Sequence, residues 1–154
     1  MSTFLMGAMA VISMYEALFL MPKYFSNPPL TFALWRENSE VTSKVFWTPL
    51  QIGVLVTLIV SMIFNWKYPK RRQRLIAVMS IYLAVWAVSL AYFVPHVKEF
   101  IAMPSSTVIT DDICKTINTW RSLTWFRQVA LLGCYIGMLI ALAIPATTEK
   151  VINI

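Results

Sequence analysis

The chain has 154 residues, of which 58% are hydrophobic and only 13% charged, with a formal net charge of +6. Soluble domains run at roughly 45–50% apolar and about 25% charged, so this composition excludes an ordinary water-solvated domain and makes lipid the expected solvent. Four spans of about 20 residues each, with their connections, use nearly all of the length and leave one transmembrane domain over residues 1–154.

The first apolar run, Phe4–Met21, carries no positive n-region and no small-x-small cleavage site, and it contains Glu16; it reads as a retained helix rather than a secretory signal. Three further runs follow at Thr48–Phe64, Leu75–Val94 and Val129–Ile144, the last entered from about residue 123. Each approaches the length needed to cross roughly 30 Å of hydrocarbon, and backbone groups in lipid must be satisfied within the span, which favours helices. The expected fold is all-α: an integral membrane four-helix bundle.

Between the second and third runs, NWKYPKRRQRL packs Lys67, Lys70, Arg71, Arg72 and Arg74 into one short connection. By the positive-inside rule this connection and both termini are expected in the cytoplasm, in a bacterial inner membrane. An anionic-lipid patch is the other reading of those cations. Nucleic acid is not an expected partner, because basic residues beside membrane spans report orientation first.

Two longer connections, Pro22–Trp47 and Pro95–Thr124, then face outward. The first, broken by Pro22, Pro28 and Pro29, holds a short amphipathic piece that can lie over the outer mouth. In the second, Thr110 or Asp111 can cap a helix, and Ile113, Ile117 and Trp120 follow helical spacing. The fourth helix is therefore expected from about Asp112 to Ile144, roughly 50 Å long, with an extended outer part beyond the bilayer. Within it Gly133, Gly137 and Ala141 form a ridge for close helix approach, in the bundle or between protomers, about 120° around the helix from Arg127.

All four runs bring polar side chains to a similar outward level. Glu16 lies about 8 Å inside the outer end of the first span; Gln51 lies just inside the second, Tyr92 and His96 flank the third, and Arg127 and Gln128 open the fourth. The inner half offers chiefly Ser61 and Ser80. A charge in hydrocarbon costs at least about 2.5–3.5 kcal/mol on insertion scales, so Glu16 is expected to face the bundle. Three explanations stand: an ion pair with Arg127, a protonated acid, or a water-accessible site. Tyr15, Tyr92, Tyr135, Trp47, Trp120 and Trp125 are candidate walls for an aromatic or quinone-like molecule, although interfacial belts use the same residues.

One histidine, no CxxC and no HxxxH leave a zinc or bis-histidine haem site without ligands, and Arg127 would disfavour a cation beside Glu16 and His96. Cys114 in a polar connection and Cys134 in an apolar run do not suggest a disulfide. No phosphate-binding loop or dinucleotide fingerprint is present.

The stretch YFVPHVKEF followed by NTWRSLTWFRQVALLGCYIGMLIAL resembles the small four-helix membrane family related to fungal anthrone oxygenases, a domain-of-unknown-function family. The similarity rests on Val94-Pro95 after the third helix and on Trp120, Leu123 and Arg127, or Trp125 and Arg127, entering the fourth. Many relatives carry an asparagine shortly after the Val-Pro, where this chain has His96 and Val97. The resemblance implies cofactor-independent oxidation of a reduced polycyclic phenol by molecular oxygen, without bound metal or flavin. Such chemistry asks for a base and for a cation facing the resulting anion, which assigns catalytic roles to Glu16 or His96 and to Arg127. Tyr15, Gln51, Tyr92, Trp120, Trp125 and Gln128 are the corresponding substrate-binding candidates. The competing expectation is a non-catalytic accessory subunit of a larger membrane complex, or a homo-oligomer.

Overall fold

The computed structural model describes residues 1–40 and 45–145, with the side chains of 38–40 left out. It is all-α. Four helices are long and apolar enough to cross a membrane: α1 Ser2–Tyr24, α3 Val45–Phe64, α4 Pro69–Ala102 and α5 Asp111–Ala143. A short amphipathic helix, α2 Phe32–Glu40, lies between the first two. Successive spans alternate in direction, and the packing runs α1 on α3, α3 on α4, α4 on α5 and α5 back on α1, a closed ring of antiparallel neighbours. The protein is thus an integral membrane bundle with Lys67, Lys70, Arg71, Arg72 and Arg74 at one end, together with the start of α1 and the finish of α5. These cations make this the basic end of the bundle; the other, where α2 lies, is its capped end.

α1 and α4 each carry, within the span, a widened turn ahead of a proline. The Met21 N–H bonds the Glu16 carbonyl five residues back, closing a π-helical turn over Glu16–Leu20, and Pro22 follows. In α4 the Val94 N–H bonds the Ser89 carbonyl in the same way over Ser89–Phe93, and Pro95 follows. Proline has no N–H to give the carbonyl four residues back, and its ring clashes with that carbonyl. Opening the preceding turn by one residue relieves both problems without ending the helix. Accordingly α1 continues past Pro22 to Tyr24, and α4 runs through Pro95 and His96 to Ala102, so the connections at the capped end are shorter than the prolines suggest.

α5 starts at Asp111 with Thr110 in extended conformation as its N-cap, although the Thr110 side chain makes no capping bond. Asp111 and Asp112 in the first turn suit the positive end of the helix dipole. At 1.5 Å per residue α4 and α5 both reach about 50 Å, so together they project beyond the hydrocarbon. Between their projecting parts sits α2. Its Arg36 donates from Nε to the Ile101 carbonyl at 2.7 Å and from Nη2 to the Met103 carbonyl at 3.0 Å, tying the helix to the end of α4.

The interior has two apolar halves. Toward the basic end it is aliphatic and methionine-rich, with Met6, Met9, Val54, Leu58, Val78 and Met138 buried around Tyr82. At the capped end it is aromatic: Tyr24, Phe25, Phe32, Trp35, Phe93, Phe100 and Trp120 stack or meet edge to face. The chemistry of the surroundings explains the division. Between lipid-embedded helices little hydrophobic force operates and close fit decides; Gly137 lets Val78 approach so near that an added Cβ would lie 2.7 Å from its Cγ2, and Gly7 receives the Tyr135 ring. The ridge expected on α5 is therefore used inside the protomer at Gly137 and at buried Ala141, whereas Gly133 meets nothing within 4 Å. Outside the hydrocarbon, burying large rings is itself favourable by roughly 1.5–3 kcal/mol for a side chain such as Phe.

Candidate functional site between the two cores

The polar layer lies where the aliphatic core meets the aromatic one. Along α1 the order is Met9, then Ser13 and Glu16, then Met21; along α5, read in the same direction, it is Leu131, then Gln128, Arg127 and Thr124, then Trp120. Ser13, Thr124 and Gln128 are three of the four buried polar or charged residues among the described ones. The Ser13 hydroxyl donates to Gln128 Oε1, joining α1 to α5 across the layer. Thr124 spends its hydroxyl on the Trp120 carbonyl at 2.9 Å.

Glu16 sits half-buried in the widened turn of α1, within electrostatic reach of Arg127 and of the Tyr24 hydroxyl. Glu16 and Arg127 interact electrostatically without a direct ion pair. The guanidinium instead lies over the Phe93 ring, 4.6 Å from its centroid, in the widened turn of α4. Both widened turns thus supply a group to Arg127, an acid from one and an aromatic face from the other.

Three buried donors in this region have no partner: Trp120 Nε1, Arg127 Nε and Gln128 Nε2. All three belong to α5 and fall within an arc of about 100° around its axis, so they share a face. Buried polar groups in native proteins are overwhelmingly paired, and each exception asks for an occupant such as water or a ligand. An occupant of this layer would be met by N–H donors, and so would present acceptor oxygens.

The other predicted residues are dispersed. His96 is half-buried on α4; its Nδ1 lies 2.8 Å from the Tyr92 carbonyl, which assigns the proton to Nδ1 and leaves Nε2 as the basic nitrogen. Its ring rests against Tyr92 and reaches Phe100, and among the described residues no contact joins it to Glu16 or Arg127. Tyr92 packs on His96 and Phe93 at the edge of the aromatic core. Gln51 serves a separate network, accepting from Trp86 Nε1 at 3.0 Å through its side chain and from the Tyr82 hydroxyl at 3.1 Å through its carbonyl. Tyr15, 54% exposed and packed on Phe19, and Trp125, 46% exposed, are on the outer surface and not in the layer. Trp120 is the reverse, 2% exposed at the centre of the aromatic core. Of the inner polar residues, Ser61 meets Ser2 at 2.8 Å while Ser80 is exposed.

Sequence reasoning passed over Ser13, Tyr24 and Phe93. A serine or phenylalanine in an apolar run carries no signal by itself. The signal available was the proline six residues after Glu16 and two after Phe93, which marks each turn for widening. Among the described residues no three of His, Cys, Asp and Glu come together in a way that could hold a metal ion. Comparison with family models, with curated proteins and with solved structures finds no significant match.

Proposed function

We propose that the chain is a membrane oxidoreductase-like or binding protein for a hydrophobic aromatic small molecule with phenolic or quinone-like oxygens, held in the layer between the two cores. The observation that carries this reading is the set of three unpartnered buried donors, Trp120, Arg127 and Gln128, on one face of α5 beside Glu16. Trp120 and the rings around it offer aromatic walls, and the N–H groups offer partners to ring oxygens. In the chemistry implied by the resemblance to anthrone oxygenases, Glu16 takes a proton from a reduced polycyclic phenol. The anion so formed faces Arg127, and dioxygen is the oxidant. Low dielectric strengthens the Arg127–anion attraction relative to water. His96, with Nε2 free to accept, is the second candidate base, reached through the aromatic edge formed by Tyr92 and Phe100. Orientation with the basic end in the cytoplasm belongs to the same proposal.

The test is oxygen uptake and product formation by the purified full chain with reduced polycyclic phenols, alongside binding of the corresponding quinones. Arg127→Gln is expected to lower turnover about a hundredfold or more, the scale seen when one anion-stabilising donor is lost, and Glu16→Gln to abolish it. Unchanged turnover or affinity in both variants rejects the reading.

A second reading, an accessory subunit of a larger membrane complex, is favoured by the thin burial of α3: 11% of its apolar window is covered, against 39% in α1. Mass measurement after gentle extraction separates the two. Stable heterologous partners support the accessory role, and a lone chain or homo-oligomer counts against it.

A further inference from the structure

The basic end carries a site that owes nothing to the polar layer. A cavity of about 80 Å³ opens there between α1, α3, α4 and α5, with polar Ser2, Ser61, Asn65 and Arg71 and apolar Leu75 and Leu142 among its lining residues. The volume is well above the roughly 10–15 Å³ that one water requires. We propose that this cavity binds the negatively charged phosphate group of an amphiphile, with Arg71 as its principal partner.

Arg71 is half-buried and held in place from two sides. Its Nε donates to the Ile144 carbonyl at 2.7 Å, and its Nη1 donates to Asn65 Oδ1 at 3.2 Å. A guanidinium has five N–H bonds, so three remain after these two contacts. The fork is therefore fixed in position before any ligand arrives, which reduces the ordering cost of binding. Ser2 and Ser61 bond each other at 2.8 Å, and whichever accepts keeps its own hydroxyl hydrogen for a further partner. Among the described residues, every neighbouring charge has the same sign as Arg71: Lys67, Lys70, Arg72 and Arg74 share the connection, while six of the seven acidic residues belong to the opposite half of the molecule and the seventh, Glu149, falls outside the described residues.

The apolar lining says what is attached to the phosphate. Leu142 is 61% exposed on the lipid-facing side of α5, so the cavity continues sideways onto surface that acyl chains cover. A group with a charged head and a hydrocarbon tail fits both parts of the lining at once. Free phosphate fits the first part alone.

The full chain is purified in neutral detergent and presented with phosphatidylglycerol, with phosphatidylcholine, or with phosphatidylcholine plus inorganic phosphate; retained lipid is measured by native mass spectrometry and phosphate by its effect on thermal unfolding. Saturable retention of phosphatidylglycerol over phosphatidylcholine is expected, lowered about tenfold or more by Arg71→Gln, as befits loss of charge-assisted hydrogen bonds. Ser61→Leu fills the cavity and keeps every cation; it is expected to weaken retention as well, and it decides the matter if Arg71→Gln does not fold. Lys70→Gln and Arg72→Gln, which line a separate open groove, are expected to have little effect. Stabilisation by inorganic phosphate alone, lost in Ser61→Leu, supports the phosphate site and assigns it to the free ion. Equal retention of both lipids with no phosphate effect overturns the proposal. So does wild-type retention in Ser61→Leu, or an equal loss in Lys70→Gln and Arg71→Gln, which describes a diffuse basic surface.

Discussion

Two glycines four residues apart on α5 differ in what surrounds them. At Gly137 a methyl group would lie 2.7 Å from Val78 Cγ2, and valine's branched side chain has few alternative rotamers with which to yield. At Gly133 there is open space, and alanine is the better helix former by up to about 1 kcal/mol. Gly133→Ala is therefore expected to leave thermal unfolding in detergent unchanged or slightly raised, and Gly137→Ala to lower stability by about 1–3 kcal/mol through overpacking. Equal behaviour of the two variants would show that α4 and α5 do not meet as described. Arg127 shows the same dependence on surroundings: its guanidinium combines an aromatic face beneath it, a carboxylate nearby and one buried N–H without a partner. A residue held by so few committed contacts is poised to accept another.

Among the elements, α2 and the widened turns carry the most specific consequences. α2 is attached by the burial of Phe32 and Trp35 and by the two Arg36 bonds to the end of α4. Arg36→Ala removes both bonds and is expected to speed amide hydrogen exchange in residues 32–37 and 98–102, leaving α5 protected; no change there means that ring packing alone holds the helix. In α4, Pro95→Ala restores an N–H that can bond the Ala91 carbonyl and so removes the cause of the Ser89–Phe93 turn. The expected result is equal or higher thermal stability with lower Arg127-dependent turnover or ligand affinity, because Phe93 shifts beneath the guanidinium. Losses in both would assign the turn to packing. These turns also mark where sequence reading stopped. The spans, their alternation and the long α5 follow from run length and helical spacing, which lipid enforces directly. The continuation of α1 and α4 through Pro22 and Pro95 does not, because proline reads as a stop until the turn before it is seen to open.

For the molecule as a whole, the basic connection concentrates cations at one end, whereas at the other Glu37, Glu99, Asp111 and Asp112 are mixed with Lys23, Arg36, Lys98, Lys115 and Arg121. The proposed orientation, with the basic end in the cytoplasm, rests on the positive-inside rule. Cys114 is exposed beyond the capped end and Cys134 is buried, so one thiol reports orientation. A membrane-impermeant maleimide is expected to label Cys114 in intact cells and to lose its target in Cys114→Ser; labelling that requires permeabilised cells would reverse the topology. The site was partly visible at this scale. A polar level shared by four helices could be counted from span ends, and Glu16, Arg127, Trp120 and Gln128 do gather there. The direction each side chain takes around its helix could not be counted, which is why Tyr15 and Trp125 stand on the surface and His96 lies on the far side of the aromatic edge.

α4 and α5 are each about 20 Å longer than the oily slab they cross, at 1.5 Å per residue against roughly 30 Å. The ring-filled dome between their overhangs must then stand at headgroup height or above, roofing the polar layer against water. Any guest that dissolves in acyl chains would arrive along the plane of the leaflet, between helices, and its search would be two-dimensional. Enrichment by partitioning, rather than tight binding, would set how often the layer is visited.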